Sequence, residues 1–95
     1  MERRLQSDII KWLKGKGAYV IKSRSGPGVP VGCPDILFLL EGAWGAIECK
    51  RDAKAPYRVG QEATLKRLAE WSPFVYTAYP ENWPEIQSEL ARLFF

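Results

Sequence analysis

The segment PDILFLLEGAWGAIECK, residues 34–50, contains the strongest structural signal in this chain. It contains two short apolar runs, residues 36–40 and 44–49, and both have the length of buried β-strands. Glu41 and Gly42 between the runs fit a two-residue hairpin turn. We therefore predict two antiparallel strands that are joined by a tight turn.

The predicted turn determines which side chains face one another across the two strands. Side chains alternate along a strand, so this register places Asp35 opposite Glu48. Lys50 lies two residues beyond Glu48 and shares its side of the sheet. A three-residue turn would instead place Cys49 opposite Asp35 unless a bulge restored the register. With the shorter turn, Asp35, Glu48 and Lys50 converge at one end of the strand pair.

Two neighbouring carboxylates repel each other unless a positive charge lies between them. A hard divalent cation with oxygen ligands, Mg²⁺ or Mn²⁺, suits such a pair. The ammonium of Lys50 beside a metal would orient a water molecule or stabilise charge on a reacting phosphate. Acids and lysines are also common where a strand end reaches solvent, and these three residues alone leave both interpretations open.

Three segments together resemble the signature of the PD-(D/E)xK nucleases, and more narrowly that of the VRR-NUC (virus-type replication-repair nuclease) domain: GCPDI at residues 32–36, IECK at residues 47–50, and Gln61. The resemblance covers most of the chain, from Glu2 to the last predicted strand. It implies a set of active-site residues: the metal ligands Asp35, Glu48 and the backbone carbonyl of Cys49, the nucleophile-assisting Lys50, and the supporting Gln61.

Glu2 begins a predicted amphipathic helix over residues 2–16, whose inward stripe is Leu5, Ile9, Trp12 and Leu13. Glu2 precedes Leu5 by three residues and falls on the same stripe. The resemblance implies that Glu2 is a further metal ligand. The residues alone favour the alternative, an acid that interacts with the positive end of the helix dipole.

The composition limits the chemistry that this chain can perform. Its 95 residues make one small domain, which we assign to residues 1–95. The sequence contains no histidine, which excludes Ser-His-Asp and Cys-His catalysis and the histidine-based metal nucleases. No apolar run has membrane-spanning length and no signal peptide is recognisable. We expect a cytoplasmic protein of a bacterial or phage-infected cell, with no membrane partner.

Basic residues are concentrated where a polyanion would bind. The net charge is +3, yet residues 1–24 carry seven basic and two acidic side chains. The loop after Lys50 is also basic and contains an aromatic residue, which suits contact with a nucleic-acid backbone and stacking on a base. A plain connecting loop is the alternative interpretation for Arg24. The predicted DNA-binding residues are Arg24, Arg51, Lys54, Tyr57 and Arg58.

The remaining periodicity completes the predicted fold. Residues 18–22 and 74–79 are strand candidates, and residues 60–71 form a helix whose inward stripe is Gln61, Leu65, Leu68 and Ala69. Asn82 and Glu85 resemble a capping box before a last helix with a stripe of Ile86, Leu90, Leu93 and Phe94. The order α-β-β-β-α-β-α predicts an α/β domain with a mixed sheet flanked by helices, similar to the restriction-endonuclease-like core.

These expectations combine into a predicted function. We expect a DNA endonuclease that depends on Mg²⁺ or Mn²⁺ and hydrolyses phosphodiester bonds. By analogy with small members of the family, we expect a homodimer that acts on branched DNA such as Holliday junctions. The alternatives are a non-catalytic DNA-binding module, a nuclease subunit of a larger complex, and a sequence-specific restriction-type endonuclease.

Overall fold

The computed structural model describes residues 2–24 and 26–94, without the side chains of Glu2 and Phe94. The predicted order α-β-β-β-α-β-α is confirmed, and element boundaries differ from the predicted ones by about one residue. The elements are α1 (Glu2–Gly15), β1 (Tyr19–Lys22), β2 (Ile36–Leu40), β3 (Ala43–Cys49), α2 (Gln61–Trp71), β4 (Val75–Ala78) and α3 (Trp83–Phe94).

The four strands form one mixed sheet in the order β1-β2-β3-β4. The pairs β1–β2 and β2–β3 are antiparallel, and β3 and β4 are parallel. Parallel neighbours need a crossover connection, and the segment that contains α2 supplies it between β3 and β4. The predicted mixed sheet flanked by helices is confirmed.

The β2–β3 hairpin has the predicted two-residue turn. Leu40 pairs with Ala43, so Glu41 and Gly42 form the turn. Gly42 has a φ of 77°, a left-handed backbone conformation that glycine adopts without the steric cost of a Cβ. Ile36 pairs with Ile47. This pairing places Asp35, the residue before Ile36, beside Glu48, the residue after Ile47. The register that positions the acids is therefore set by a local turn.

One face of the sheet is covered by α1 and α3. The inward stripe of α1 is confirmed, with Leu5, Ile9 and Leu13 buried. Trp12 contacts Trp83 of α3 edge to face, with ring centroids 5.6 Å apart. These helices pack against the alternate side chains of the sheet that point towards them, and the buried sheet residues of this core are Ile36, Phe38, Ile47, Cys49 and Ala78.

The helix α2 packs against β4 on the opposite face of the sheet. Leu65 is buried beneath it, but Ala69 is exposed, so the predicted inward position of Ala69 is wrong. α2 crosses only the β4 side of the sheet, and its buried stripe is narrower than the periodicity suggests. Leu93 at the end of α3 is likewise 52% exposed, contrary to its predicted place in the stripe.

The predicted capping box at α3 has a different structure. The side-chain oxygen of Asn82 accepts the backbone N–H of Tyr79 at 2.8 Å, and its amide donates to the carbonyl of Thr77 at 3.0 Å. Asn82 therefore ties the end of β4 to the start of α3, while its backbone carbonyl accepts the first helical N–H groups. Within the described ranges, no helix has the length and apolar character that crossing a membrane requires.

Candidate active site

Asp35 and Glu48 lie side by side at the open end of the β2–β3 pair. The backbone N–H of Asp35 donates to Oε1 of Glu48 at 3.2 Å, and that of Cys49 donates to Oδ2 of Asp35 at 2.9 Å. Asp35 directly precedes β2, and Glu48 is the penultimate residue of β3. The predicted convergence of the two carboxylates is therefore observed, and backbone N–H groups fix one oxygen of each.

The other oxygen of each carboxylate faces the guanidinium of Arg58. Arg58 Nη2 lies 3.3 Å from Oδ1 of Asp35 and 3.7 Å from Oε2 of Glu48. The sequence predicts Arg58 as a DNA contact, and the structure brings it to the acids themselves. The cation lies where the carboxylates would otherwise repel each other. Two side-chain oxygens from neighbouring strands thus converge on one positive group.

The burial of Glu48 makes its ionisation unfavourable. Glu48 is only 3% exposed. Burial and, second, the negative charge of Asp35 raise the pKa of Glu48 from its ordinary value of 4.5 to about 7. Arg58, the backbone N–H of Asp35 and the nearby amide of Gln61 oppose this rise but do not cancel it. A raised carboxyl pKa beside a second acid indicates a site that gains from additional positive charge.

Lys50, the residue after β3, is buried and lies against an aromatic ring. It is 8% exposed, and its ammonium is 4.3 Å from the centre of the Tyr57 ring. The Tyr57 hydroxyl and Thr77 Oγ1 are 2.9 Å apart and share a hydrogen bond. Thr77 is the β4 partner of Glu48. The cation–π contact and this hydrogen bond therefore link Lys50, through Tyr57, to the strand residue that pairs with Glu48.

Gln61 is the first residue of α2, and it is buried against the backbone of Arg58. It is 1% exposed, and its Oε1 accepts the backbone N–H of Arg58 at 3.0 Å. The backbone N–H of Gln61 donates back to the carbonyl of Arg58. Its Nε2 lies close enough to Glu48 to lower the pKa of that group, yet among the described residues it meets no partner with hydrogen-bond geometry. A buried, unpaired amide at a site is costly unless a ligand satisfies it.

A cavity of about 340 Å³ lies next to Arg58, the residue that contacts both carboxylates. It lies between the loop that precedes β2 and the start of α2, and both Arg24 and Arg58 line it. The loop approaches the helix backbone to backbone at Gly32. A Cβ on Gly32 would lie 2.5 Å from the carbonyl oxygen of Gly60, and Gly32 has a φ of 82°. Only glycine fits this position, which explains the glycine two residues before Pro34.

Three of the other predicted DNA contacts lie at the surface, and the fourth does not. Arg24, Arg51 and Lys54 are exposed, and Arg51 pairs with Asp52 at 3.4 Å. The predicted stacking residue Tyr57 is partly buried against Lys50. The side chain of Glu2, a predicted metal ligand, lies outside the described residues.

Comparison with known proteins rests on structure alone. No protein-family model matches the sequence, and no curated protein matches it. A solved structure described as a VRR_NUC domain aligns with a TM-score of 0.74 and 22% identity, over 99% of this chain and 97% of that chain. The fold is that of a VRR_NUC domain. Hjc of Archaeoglobus fulgidus, a Holliday junction resolvase from an archaeal hyperthermophile, aligns with a TM-score of 0.54 and 21% identity, over 81% of this chain and 67% of Hjc.

The carboxylates of Asp35 and Glu48 present donor atoms that fit a hard divalent cation. The oxygens that no backbone N–H engages, Oδ1 and Oε2, converge on the Arg58 guanidinium, and such oxygens are the ligands that Mg²⁺ prefers. No cluster of three or more Asp, Glu, Cys or His side chains occurs in the part of the chain that the structure describes. Mg²⁺ is commonly bound by one or two carboxylates together with water, so the two carboxylates of Asp35 and Glu48 fit such a site.

Sequence reasoning missed two features of the site. Thr77, which anchors Tyr57, belongs to a strand whose parallel register with β3 depends on a distant crossover. The position of Arg58 over both acids depends on the irregular loop between β3 and α2. The sequence signal for the Arg58 position was its spacing of three residues from Gln61. This spacing permits the Arg58 N–H to donate to the Gln61 side chain and the Gln61 N–H to donate to the Arg58 carbonyl.

Proposed function

We propose that this protein is a divalent-metal-dependent endonuclease that hydrolyses phosphodiester bonds in branched DNA. The observation that carries the proposal is the pair of carboxylate oxygens, from Asp35 and Glu48, that converge on the guanidinium of Arg58. The fold shared with a VRR_NUC domain and with a Holliday junction resolvase supports the same reaction class. Fold alone permits many activities, so the site carries the argument.

The carboxylates of Asp35 and Glu48 and the backbone carbonyl of Cys49 would hold Mg²⁺ or Mn²⁺. Bound there, the metal would neutralise the scissile phosphate and lower the pKa of a water molecule. Backbone N–H groups already fix one oxygen of each carboxylate, which leaves the other oxygen for a cation. Glu2 remains a candidate for a further ligand from the first helix.

Lys50 would supply the second positive charge of the reaction. Lys50 is buried, and its ammonium contacts the Tyr57 ring. A cation beside the carboxylate pair would orient the attacking water and stabilise charge that develops on the phosphate. Gln61 would support the site through its contact with the Arg58 backbone, and through its unpaired Nε2 once a ligand oxygen is present.

The exposed basic residues would bind the DNA backbone. Arg24 lines the same cavity as Arg58, and Arg51 and Lys54 are exposed in the loop after β3. Contacts of this kind fix the position of a duplex without reading its sequence. Such contacts favour selection of the substrate by DNA structure over selection by sequence. We place this activity in the cytoplasm of a bacterial or phage-infected cell.

A homodimer would match the two-fold symmetry of a four-way junction. An apolar patch on the sheet face opposite α1 supports this proposal. Tyr19 pairs with Leu39 and Ile21 with Leu37, so these side chains share a face. Tyr19, Ile21 and Leu39 are 70%, 42% and 45% exposed. We expect analytical ultracentrifugation to find a dimer that Leu39→Glu converts to monomers.

The activity is tested on a four-way junction, a flap, a splayed arm and linear duplexes of varied sequence, each with Mg²⁺ or with EDTA. We expect Mg²⁺-dependent cleavage of the junction and a loss of about 100-fold or more in Glu48→Gln and Lys50→Ala. Glu41→Gln and Lys22→Ala, which make the same charge changes at exposed positions, serve as controls. DNA affinity measured in EDTA identifies variants that have merely lost binding.

Three outcomes separate the alternatives. Cleavage that survives in Glu48→Gln, or that proceeds in EDTA, contradicts the assigned site. Tight DNA binding without cleavage of any substrate favours the non-catalytic module. Cleavage of one linear duplex sequence in preference to the junction favours a restriction-type enzyme.

A further inference from the structure

Arg58 forms its ion pairs with the two oxygens that a metal would need. The remaining oxygens are engaged by the backbone N–H groups of Cys49 and Asp35, at 2.9 and 3.2 Å. Oδ1 of Asp35 and Oε2 of Glu48 face Nη2 of Arg58, at 3.3 and 3.7 Å. A divalent cation between the carboxylates would therefore compete with the guanidinium for the same atoms.

A guanidinium and a divalent cation cannot share these oxygens without strong repulsion. Like charges a few ångströms apart in a partly buried site repel each other far more than they do in water. The acids are fixed, since the side chains of Asp35 and Glu48 are 15% and 4% exposed. The more mobile partner is Arg58, whose side chain is 59% exposed.

The structure also leaves Arg58 a place to move. Its backbone is anchored to Gln61 by hydrogen bonds in both directions, so the side chain can turn while the loop stays in place. Arg58 already lines the adjoining cavity of about 340 Å³, as does Arg24. A guanidinium released from the acids would remain at the edge of this cavity, beside the second arginine.

We propose that Arg58 is a resident counter-ion of the carboxylate pair, which a divalent cation displaces when it binds. This inference rests on the proposed function, because it assumes that Asp35 and Glu48 bind the metal. In the metal-free protein Arg58 offsets the repulsion between the acids. In the metal-bound protein its charge is available to a phosphate at the cavity, so metal binding and readiness for DNA are coupled.

The test is direct measurement of metal affinity without DNA. Mn²⁺ binding is followed by electron paramagnetic resonance for the wild type, Arg58→Gln, Arg58→Lys and Arg51→Gln. Two partly exposed ion pairs of ordinary strength correspond to about a 2- to 30-fold effect on an equilibrium constant. We expect Arg58→Gln to bind Mn²⁺ tighter by a factor in that range, and Arg58→Lys to be intermediate. Arg51→Gln removes the same charge from the same loop and should change affinity less than twofold.

A second measurement follows the side chain itself. In a ¹H–¹⁵N spectrum of the wild type, the Nε–H resonance of Arg58 should move as Mg²⁺ is added, with the same midpoint as binding. That of Arg51 should stay in place. A variant that binds metal with altered affinity only because it is partly unfolded is recognised by its urea unfolding curve.

The possible failures are distinguishable. If Mn²⁺ binds neither the wild type nor Arg58→Gln, or binds Glu48→Gln as well as the wild type, the proposed metal site is wrong and this inference falls with it. If Mn²⁺ binds the wild type through Glu48 but Arg58→Gln shows equal affinity and the Arg58 resonance does not move, only the counter-ion role is overturned.

Discussion

The ionisation of Glu48 makes a quantitative prediction about stability. Its pKa rises from 4.5 to about 7 on folding because the carboxyl is buried next to Asp35. Below pH 4.5 the group is protonated in both states and costs nothing. Between pH 4.5 and 7 the unfolded chain loses the proton first, so the free energy of unfolding falls as the pH rises. Above pH 7 the full penalty, about 3 kcal/mol, remains.

Glu48→Gln removes this penalty and keeps the shape of the side chain. The glutamine oxygen still accepts the backbone N–H that Asp35 now donates to Glu48. The attraction between Arg58 and the ionised carboxylate already opposes the rise in pKa, so it is included in this net penalty and is not subtracted again. We therefore expect the metal-free variant to be more stable than the wild type by about 3 kcal/mol at pH 8, and by less than about 1 kcal/mol at pH 5.

Urea unfolding in EDTA at pH 5, 6, 7 and 8 measures this difference. Titrating groups distant from Glu48 affect both proteins alike and cancel in the comparison. Glu41→Gln, an exposed change of the same kind in the β2–β3 turn, should show no such pH dependence. Saturating Mg²⁺ at pH 8 should stabilise the wild type but not Glu48→Gln. A stability difference that is equal at pH 5 and pH 8, or that favours the wild type as pH rises, would refute the reasoning.

Three further substitutions test other parts of the site. Lys50→Ala should lower the cleavage rate about 100-fold or more. Its DNA affinity in EDTA, measured by fluorescence anisotropy, should change little. Equal losses of cleavage rate and DNA affinity would make Lys50 a binding residue only. Tyr57→Leu removes the ring over Lys50 and should lower cleavage about tenfold, whereas Tyr57→Phe keeps the ring and should cost about 1 kcal/mol of stability at most. Gly32→Ala should destabilise the fold by about 2 kcal/mol or more in urea, because its Cβ would lie 2.5 Å from the carbonyl oxygen of Gly60; Gly28→Ala, with a φ of 86° and open space around it, should cost only about 1 kcal/mol.

The parts of this fold that are local were predictable from the sequence. The turn at Glu41 and Gly42 joins two apolar runs, and the period of two then fixes which residues face each other. The position of Asp35 beside Glu48 follows from that turn without any long-range information. The stripe of α1 was equally readable, since one face of an amphipathic helix has to find the core.

The errors and omissions lie where tertiary packing decides. Ala69 has the spacing of a buried helical residue, but α2 covers too little of the sheet to bury it. Asn82 has the sequence context of a helix cap, but the end of β4 offers its amide closer partners. Arg58 looks like one basic residue among several in a loop. Its contact with both acids depends on how that irregular loop folds back, and no periodic pattern encodes this.

The concentration of negative charge at this site lowers the free energy of unfolding of the metal-free protein. Asp35 and Glu48 bring two carboxylates together in a place where water screens them poorly, and the pKa of Glu48 is raised first by its burial and second by the negative charge of Asp35. Arg58 relieves only part of this penalty, because a largely exposed guanidinium interacts weakly with buried acids. A divalent cation would carry more charge into a smaller volume and relieve the rest. The unfavourable energy of the metal-free site is therefore available to strengthen metal binding, so a substitution that stabilises the empty protein at this position should weaken its affinity for the metal.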